Sequence, residues 1–166
     1  FQEHFRRDTW QSRSVSHAST DLTDSFEITQ RRISDWPQQK TWLERSYPEE
    51  IAWNFRFDSS RFEPGFWKDV NRFFSGIVHH HWALRRNHVL LGVATWEPTS
   101  HHSDFLWLGA NPDGQEETIR HLLRFFFKDF ISVRPVTVNY PASEAKNAFL
   151  ANGFHLQHTL IWMKYP

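Results

Sequence analysis

The segment from residue 136 to residue 154 constrains the possible folds more than any other part of this sequence. Residues 136–139 have the pattern of a short buried strand, and Pro141 marks a break after it. Residues 143–151 then have the pattern of a small helix, which ends at Asn152-Gly153 because glycine tolerates the left-handed conformation common at helix C-termini. An apolar strand pattern comes next, at residues 156–163. This order predicts a domain that mixes helices and strands.

The helix before this segment is the clearest one in the sequence. Over residues 115–130 apolar side chains recur three and four positions apart, as in a helix that buries one face. They are Ile119, Leu122, Leu123, Phe126, Phe127 and Phe130. Residues 104–108 predict a strand and residues 109–114 a sharp turn that leads into this helix. N–H groups at a helix N-terminus lack an intrahelical acceptor, so the turn is a candidate phosphate site.

Weaker patterns cover the first half of the chain. They predict a strand at residues 25–33, a helix at 36–46, a strand or extended loop at 51–57, a helix at 66–74, and a hairpin of 77–84 with 89–96. Asn87 lies in the hairpin turn, where asparagine accepts the left-handed conformation. The whole order is of the α+β type.

Composition excludes several classes of protein. Lys plus Arg and Asp plus Glu both number 19 among 166 residues, which leaves no excess of positive charge for a dedicated nucleic-acid surface. The absence of Cys excludes disulfides, thiol nucleophiles and thiolate metal sites. There is no apolar run long enough to span a membrane and no signal-peptide pattern. We therefore expect a cytoplasmic protein without nucleic-acid or membrane partners.

With these features in place, the sequence resembles the GNAT family, the acyl-CoA-dependent N-acetyltransferases. The matching parts are Leu91-Gly92-Val93-Ala94, the turn and helix from Gly109 onward, Val138-Asn139, and the run from Ala148 to Phe154. The resemblance implies a GNAT-like α+β fold with a twisted, mostly antiparallel sheet flanked by helices. It further implies that two parallel central strands, residues 105–108 and 136–139, splay apart to admit the pantetheine arm of coenzyme A.

The resemblance also implies ligands and binding residues. Acetyl-CoA, or another short acyl-CoA, is the expected co-substrate, and a small-molecule or peptide amine is the expected acceptor. The family's phosphate cradle, Gln/Arg-x-x-Gly-x-Gly/Ala, has its nearest match at residues 111–116, which keep the central Gly but add acids. The predicted cofactor-binding residues are Leu108, Gly109, Ala110, Gly114, Gln115, Glu116, Asn139 and Ala145.

Catalysis by this route needs a base and an acid. An amine must lose a proton to react, and Glu97 or Asp104, which flank the central strands, are the predicted bases. Many family members carry a Tyr four residues before the final Gly-Phe, as the acid for the leaving thiolate. That position here is Phe149, which cannot donate a proton, so Tyr140 is the remaining candidate acid.

Some residues have two possible roles. Asn139 is either a cofactor ligand or an ordinary turn residue before Pro141. His79 and His81 share a face of a predicted strand, but a third ligand is missing unless His101-His102 supplies it, so we predict no metal site. Aromatic residues on strands are more often core than groove, and this is our expectation for Trp53, Trp82, Trp96, Trp107 and Trp162.

The N-terminal part is predicted to be separate from the GNAT-like domain, which takes residues 25–166. Residues 1–24 form a strand and a linker, and residues 1–15 resemble the strand that comes after the Gly-Phe stop in this family. We therefore predict that they are the closing strand of a preceding, similar domain and that they pair with an open sheet edge here. An upstream GNAT-like domain or a homodimer is the expected protein partner.

The predicted function is transfer of an acetyl group from acyl-CoA to an amine by direct attack. Two alternatives stay open. The first is a non-catalytic, degenerate GNAT-like domain of a tandem protein, with a structural or ligand-binding role. The acidic turn and Phe149 favour it. The second alternative is an aromatic-rich binding module for carbohydrate or peptide.

Overall fold

Seven strands form one mixed sheet in the computed structural model of this chain, which describes residues 2–12, 26–55, 57–65, 79–129 and 134–164. The strands are β1 (Gln2–Ser12), β2 (Phe26–Gln30), β3 (His80–Arg86), β4 (Val89–Glu97), β5 (Asp104–Ala110), β6 (Val136–Pro141) and β7 (Phe154–Lys164). Their spatial order is β2-β3-β4-β5-β6-β1-β7. The pairing of β5 with β6 is parallel and the other described pairings are antiparallel. The predicted α+β sheet with a parallel central pair is confirmed.

Helices cover both faces of this sheet. The α-helices of the described chain are α1 (Trp36–Ser46), α2 (Glu49–Ala52), α3 (Gln115–Asp129) and α4 (Lys146–Ala151), and short 3-10 turns lie at Ile33–Asp35, Trp53–Phe55 and Ser59–Phe62. Helix α1 has the predicted bounds: it begins directly after the 3-10 turn that an Arg32 N–H to Asp35 carboxylate hydrogen bond closes, has Pro37 in its first turn, and ends at Tyr47 before Pro48. No helix in the described ranges has the length and apolar character needed to cross a membrane.

Helix α3 covers one face of the sheet, as its amphipathic pattern predicts. Its residues Ile119, Leu122, Leu123 and Phe126 are almost fully buried and share a core with strand residues such as Leu84 and Leu108. Gly92 of β4 allows the close approach, because a Cβ there would lie 2.4 Å from Thr118 Cγ2 of α3. The position of this glycine is therefore fixed by packing of the helix on the sheet.

Helix α1 covers the opposite face. A Cβ on Gly109 would lie 3.2 Å from Trp42 Cβ of α1, whereas the paired residues Gly92 and Ala110 face α3. A second core forms there, made of Leu43, Tyr47, Phe57, Phe62 and Trp107. Buried aromatic side chains of the described residues thus lie on both sides of the sheet.

The predicted β3–β4 hairpin is present, but its first strand continues to Arg86, two residues beyond the predicted end, and residues 77 and 78 lie outside the described residues. Asn87 and His88 make its two-residue turn, with φ of 49° and 67°. Both residues take the left-handed conformation that suits the right-handed twist of the flanking strands. Strand β3 ends at Arg86, directly before the turn, and β4 begins at Val89, directly after it.

Strand β1 lies inside the sheet, and the prediction that it pairs at an open edge is wrong. It is antiparallel to β6, with Thr9 opposite Asn139, and antiparallel to β7, with Asp8 opposite Thr159. Trp10 is 1% exposed and stacks on Phe149 of α4, with ring centroids 5.1 Å apart. Residues 2–12 therefore share both the sheet and the core with the rest of the described chain. Their origin in a preceding domain stays a prediction.

Other differences from the predictions are local. Residues 51–55 form helical turns rather than a strand, and Trp53 is 71% exposed rather than core. The short helix begins at Lys146 instead of residue 143, because Ser143 and Ala145 have positive φ of 69° and 52°. The predicted linker at residues 16–24 and the predicted helix at residues 66–74 lie outside the described residues.

Candidate functional site

A gap opens between the two parallel strands. Strands β5 and β6 pair only at their first residues, Asp104 with Val136 and Phe105 with Thr137. Further along, β5 remains paired with β4 and β6 with β1, so the sheet divides into two halves. We call this gap, closed at Phe105 and open towards the N-terminus of α3, the splay. The predicted splayed pair is confirmed.

Backbone groups on both strands face the splay. The Asp104 N–H donates to the Pro135 carbonyl at 2.9 Å, which shows which side of each strand points inward. Backbone groups alternate along a strand, so Leu108 and Ala110 present theirs to the splay from β5, and Asn139 does so from β6. Gly109, opposite Val93, faces β4 instead. Of the predicted binding residues, Leu108, Ala110 and Asn139 therefore edge the splay, where the Asn139 carbonyl already accepts from Arg7 and the Leu108 backbone contacts the Tyr47 hydroxyl.

Arg7 of β1 reaches across to this gap. Its guanidinium donates to the carbonyl of Asn139 at 2.9 Å and to the carbonyl of Ser46 at the end of α1. It also lies over the Tyr47 ring, 4.6 Å from the centroid. The side chain is 2% exposed, and burial lowers the pKa of Arg7, although Tyr47, Tyr140 and Glu144 favour its charged form. A side chain from the N-terminal strand thus links the two sides of the site.

Two tyrosines stand beside Arg7. Burial raises the pKa of Tyr47 to about 12, with the charge of Arg7 acting in the opposite direction. Burial also raises the pKa of Tyr140, and hydrogen bonding to the Ser46 side chain opposes this rise. The Tyr140 hydroxyl accepts a hydrogen bond from Gln115 Nε2 at 2.7 Å. Both hydroxyls therefore keep their protons well above neutral pH.

Gln115 connects the tyrosine to the start of α3. The same Nε2 donates to Glu144 Oε2 at 2.7 Å, and Gln115 Oε1 accepts from Arg45 at 3.2 Å. Of the predicted cradle residues, Gly114 has φ of 77° in the turn, and Glu116 Oε1 lies 3.6 Å from Arg120. Gln115 thus faces the splay, whereas the acid of Glu116 pairs with a cation on the next turn.

A cleft of about 610 Å³ adjoins the closed end of the splay. Its walls include Phe55, Arg61, Glu97, Phe105, Trp107 and Asn139. Asn139 thus borders both the splay and the cleft, while its carbonyl accepts from Arg7 and its Oδ1 accepts from Thr9 at 2.7 Å. Neither of the two roles predicted for Asn139 includes this contact with Thr9.

Glu97 is the carboxylate of the cleft. Its Oε1 accepts from Arg61 at 2.7 Å, its Oε2 accepts from the Trp107 indole at 2.7 Å, and His79 Nε2 lies 3.7 Å away. Burial alone would raise the pKa of Glu97, but His79, Arg61 and the indole N–H outweigh it and lower the pKa overall. Glu97 is therefore an anion at neutral pH.

Asp104, the other predicted base, is placed differently. It is 2% exposed, and its Oδ1 accepts from the Thr99 N–H at 3.1 Å and lies 3.4 Å from Arg134. These contacts hold the loop before β5. Asp104 does not line the cleft, so the structure brings Glu97 but not Asp104 to the candidate site.

The remaining residues named from the sequence do not line the cleft. Ala145 is buried at the start of α4 with positive φ. Phe149 is fully buried and contacts the rings of Trp10, Tyr140 and Phe154. His81 hydrogen-bonds Thr95 Oγ1 at 2.9 Å, and the described residues contain no group of three side chains able to hold a metal ion.

Solved structures share this architecture. A GCN5-related N-acetyltransferase from Kribbella flavida aligns with a TM-score of 0.60 over 96% of this chain and 58% of its own length, at 9% identity. The chain has the GNAT fold. A GCN5-related N-acetyltransferase from Sphaerobacter thermophilus aligns with a TM-score of 0.51 over 96% of this chain and 51% of its own, at 9% identity. Neither the protein-family models nor the curated proteins yield a match.

A tandem GNAT protein from the clavulanic acid biosynthesis pathway aligns as well. Its TM-score is 0.51 at 10% identity, over 95% of this chain and 52% of the other. The present chain thus spans between 51% and 58% of the length of these three proteins. At such low identity the likeness concerns the GNAT fold, and the resemblance inferred from the sequence is confirmed at that level.

Proposed function

We propose that this chain is an acyl-CoA-dependent N-acyltransferase domain. One observation carries the proposal: the splay, edged by the backbone of Leu108, Ala110 and Asn139, meets a cleft that contains the Glu97 carboxylate. An extended thioester fits a gap edged by strand backbone, because its amides can pair with strand N–H and carbonyl groups. An amine in the cleft would then face the thioester carbon at the closed end.

The reaction needs no covalent intermediate on the protein. The amine nitrogen attacks the thioester carbonyl carbon, a C–N bond forms, and the C–S bond breaks to release the CoA thiolate. Glu97 accepts the proton that the amine loses, directly or through water. A backbone N–H of β5 at the splay supports the developing oxyanion.

Tyr140 is the candidate partner of the leaving sulfur. Its hydroxyl lies with Gln115 and Ser46, which supports giving it the role that Phe149 cannot fill. Burial raises the pKa of Tyr140, which makes full proton donation to a thiolate unfavourable. We therefore assign Tyr140 the role of a hydrogen-bond donor to the thiolate.

The phosphates of the cofactor would lie at the N-terminus of α3. The first-turn N–H groups and the helix dipole favour an anion there. Asp113 and Glu117 oppose it, while Arg120 partly neutralises Glu116. The proposed acceptor is a small-molecule or peptide amine. The proposed protein partner is an upstream GNAT-like domain.

Release of CoA from acetyl-CoA in the presence of an amine panel tests the proposal. The chain contains no Cys, so a thiol-reactive dye reports the product alone. Glu97→Gln should lower the turnover about 100-fold or more, because general bases contribute about 10²–10⁴-fold. Glu27→Gln, an exposed carboxylate on β2, is the matched control. Equal turnover by both variants would rule out Glu97 as the base.

A non-catalytic GNAT-like domain is the second candidate. Arg7 favours it, because its guanidinium and the neighbouring Tyr47 occupy space between Ser46 and Asn139 that a pantetheine arm would need. Binding of acetyl-CoA without thiol release against any amine would support this candidate over the transferase.

A further inference from the structure

The cleft beside Glu97 has an aromatic wall that the acyl transfer itself does not require. Phe105 and Trp107 lie on the same face of β5, with ring centroids 5.4 Å apart. Phe55 lines the same cleft from the 3-10 turn after α2. Phe105 and Phe55 are only partly buried, so their rings are open to a ligand in the cleft. These rings are therefore candidates for selecting the acceptor.

The charges of the cleft suit an acceptor with one cation. Among the described residues that line the cleft, the ionisable ones are Glu97, Arg61 and His101. Arg61 donates to Glu97 Oε1 at 2.7 Å, so one cation already balances the carboxylate. A single amine can use a remaining lone pair of this carboxylate. The second ammonium of a polyamine would find no further acid in the described part of the cleft, so its loss of hydration would be uncompensated.

The position of Glu97 brings the body of an acceptor onto the aromatic wall. The Glu97 side chain is 12% exposed, and its Oε2 accepts from the Trp107 indole at 2.7 Å. The rings therefore begin directly beside the carboxylate and extend from Trp107 to Phe105. A cleft of about 610 Å³ has the size that holds small molecules, about 300–1,000 Å³. An amine at Glu97 would thus have its apolar part within reach of these rings.

We propose that the acceptor is an arylalkylamine, a primary amine joined to an aromatic ring by a short alkyl chain. The inference rests on the proposed transferase function and names the class of its acceptor. The amine would lie at Glu97 and the ring on Phe105 and Phe55. Aromatic rings gain from offset and edge-to-face contacts with one another, and a saturated ring of similar size lacks this gain. The amine nitrogen forms a C–N bond to the acyl carbon, the C–S bond breaks, and Glu97 takes the released proton.

Phenethylamine, cyclohexylethylamine and diaminobutane provide the test, with acetyl-CoA as donor and thiol release as the readout. The first two differ in whether the ring is aromatic, and the third has a second cation instead of a ring. At equal concentrations of deprotonated amine, phenethylamine should have a kcat/KM at least about 5-fold above that of either other amine. Phe105→Leu should bring the ratio of phenethylamine to cyclohexylethylamine close to one. Phe127→Leu, which removes a partly buried ring of α3 from the other face of the sheet, is the matched control and should keep the ratio.

Several outcomes would overturn the inference. Equal or better use of cyclohexylethylamine or diaminobutane by the wild type refutes it even if Phe105→Leu does not fold, and it leaves the transferase proposal intact. A preference for phenethylamine that persists in folded Phe105→Leu and Phe55→Leu shows that these rings do not select the acceptor. Thiol release with other amines but not with phenethylamine refutes the acceptor class alone. Absence of release with every amine refutes the transferase function, and this inference with it.

Discussion

Replacing Trp10 by Ala tests whether β1 is a true part of the sheet. Trp10 is 1% exposed, lies opposite Val138 of β6 and stacks on Phe149 with ring centroids 5.1 Å apart. Truncating a buried Trp to Ala costs about 3–5 kcal/mol in the free energy of unfolding. Loss of the aromatic pair, worth about 0.5–1.5 kcal/mol, places the expected cost in the upper half of that range.

Urea unfolding followed by far-UV circular dichroism measures this cost. Trp53→Ala is the matched control, because Trp53 is 71% exposed and its indole donates only to the Glu50 carbonyl. We expect the control to cost below about 1 kcal/mol. A domain of this size has a free energy of unfolding of about 5–15 kcal/mol. If Trp10→Ala does not fold, the milder variants Trp10→Phe and Trp53→Phe give the same comparison. Equal costs at the two positions would refute the placement of β1.

Two further predictions concern the packing and the titrating groups. Gly92→Ala should lower the free energy of unfolding by about 1–3 kcal/mol, since the new Cβ would overlap Thr118, and a thermal melt checks it; an unchanged melting temperature would contradict the contact. Burial raises the pKa values of Tyr47 and Tyr140. Their contribution to the free energy of unfolding is therefore fully present below the ordinary tyrosine pKa of about 10, and it is lost as the pH rises towards 12. Ultraviolet titration should show that these two of the three tyrosines ionise only above about pH 11 or on unfolding; ionisation of all three near pH 10 would contradict it.

Local patterns predicted the elements that local forces determine. Helix α3 was predictable from its apolar spacing, helix α1 from the weaker pattern at residues 36–46, and the hairpin from Asn87 in its turn. The pattern at residues 51–57 misled because its aromatic residues alternate as in a strand. In the structure Ile51 lies in α2 and is buried, whereas Trp53 lies in the following 3-10 turn and is exposed. The alternating apolar residues therefore do not share one buried face, as they would on a strand.

Long-range pairing determined the features that the sequence could not show. The place of β1 between β6 and β7 depends on partners more than 100 residues away, and no pattern within residues 2–12 specifies them. The same holds for Arg7, Ser46 and Tyr47, which enter the candidate site only because β1 and the end of α1 meet at the splay. The predicted pair Glu97 and Asp104 is divided by strand alternation, which directs their side chains to opposite faces of the sheet.

Binding of coenzyme A itself tests the central claim most directly, because the free thiol requires neither an acceptor nor a particular acyl group. The claim is that the splay between β5 and β6 accepts the cofactor. Thermal unfolding should shift upward and saturate as CoA is added, with a gain of about 2.7 kcal/mol at a concentration 100-fold above Kd. An unchanged melting temperature at millimolar CoA would contradict the claim and would leave a GNAT fold whose splay is closed by its own Arg7 and Tyr47.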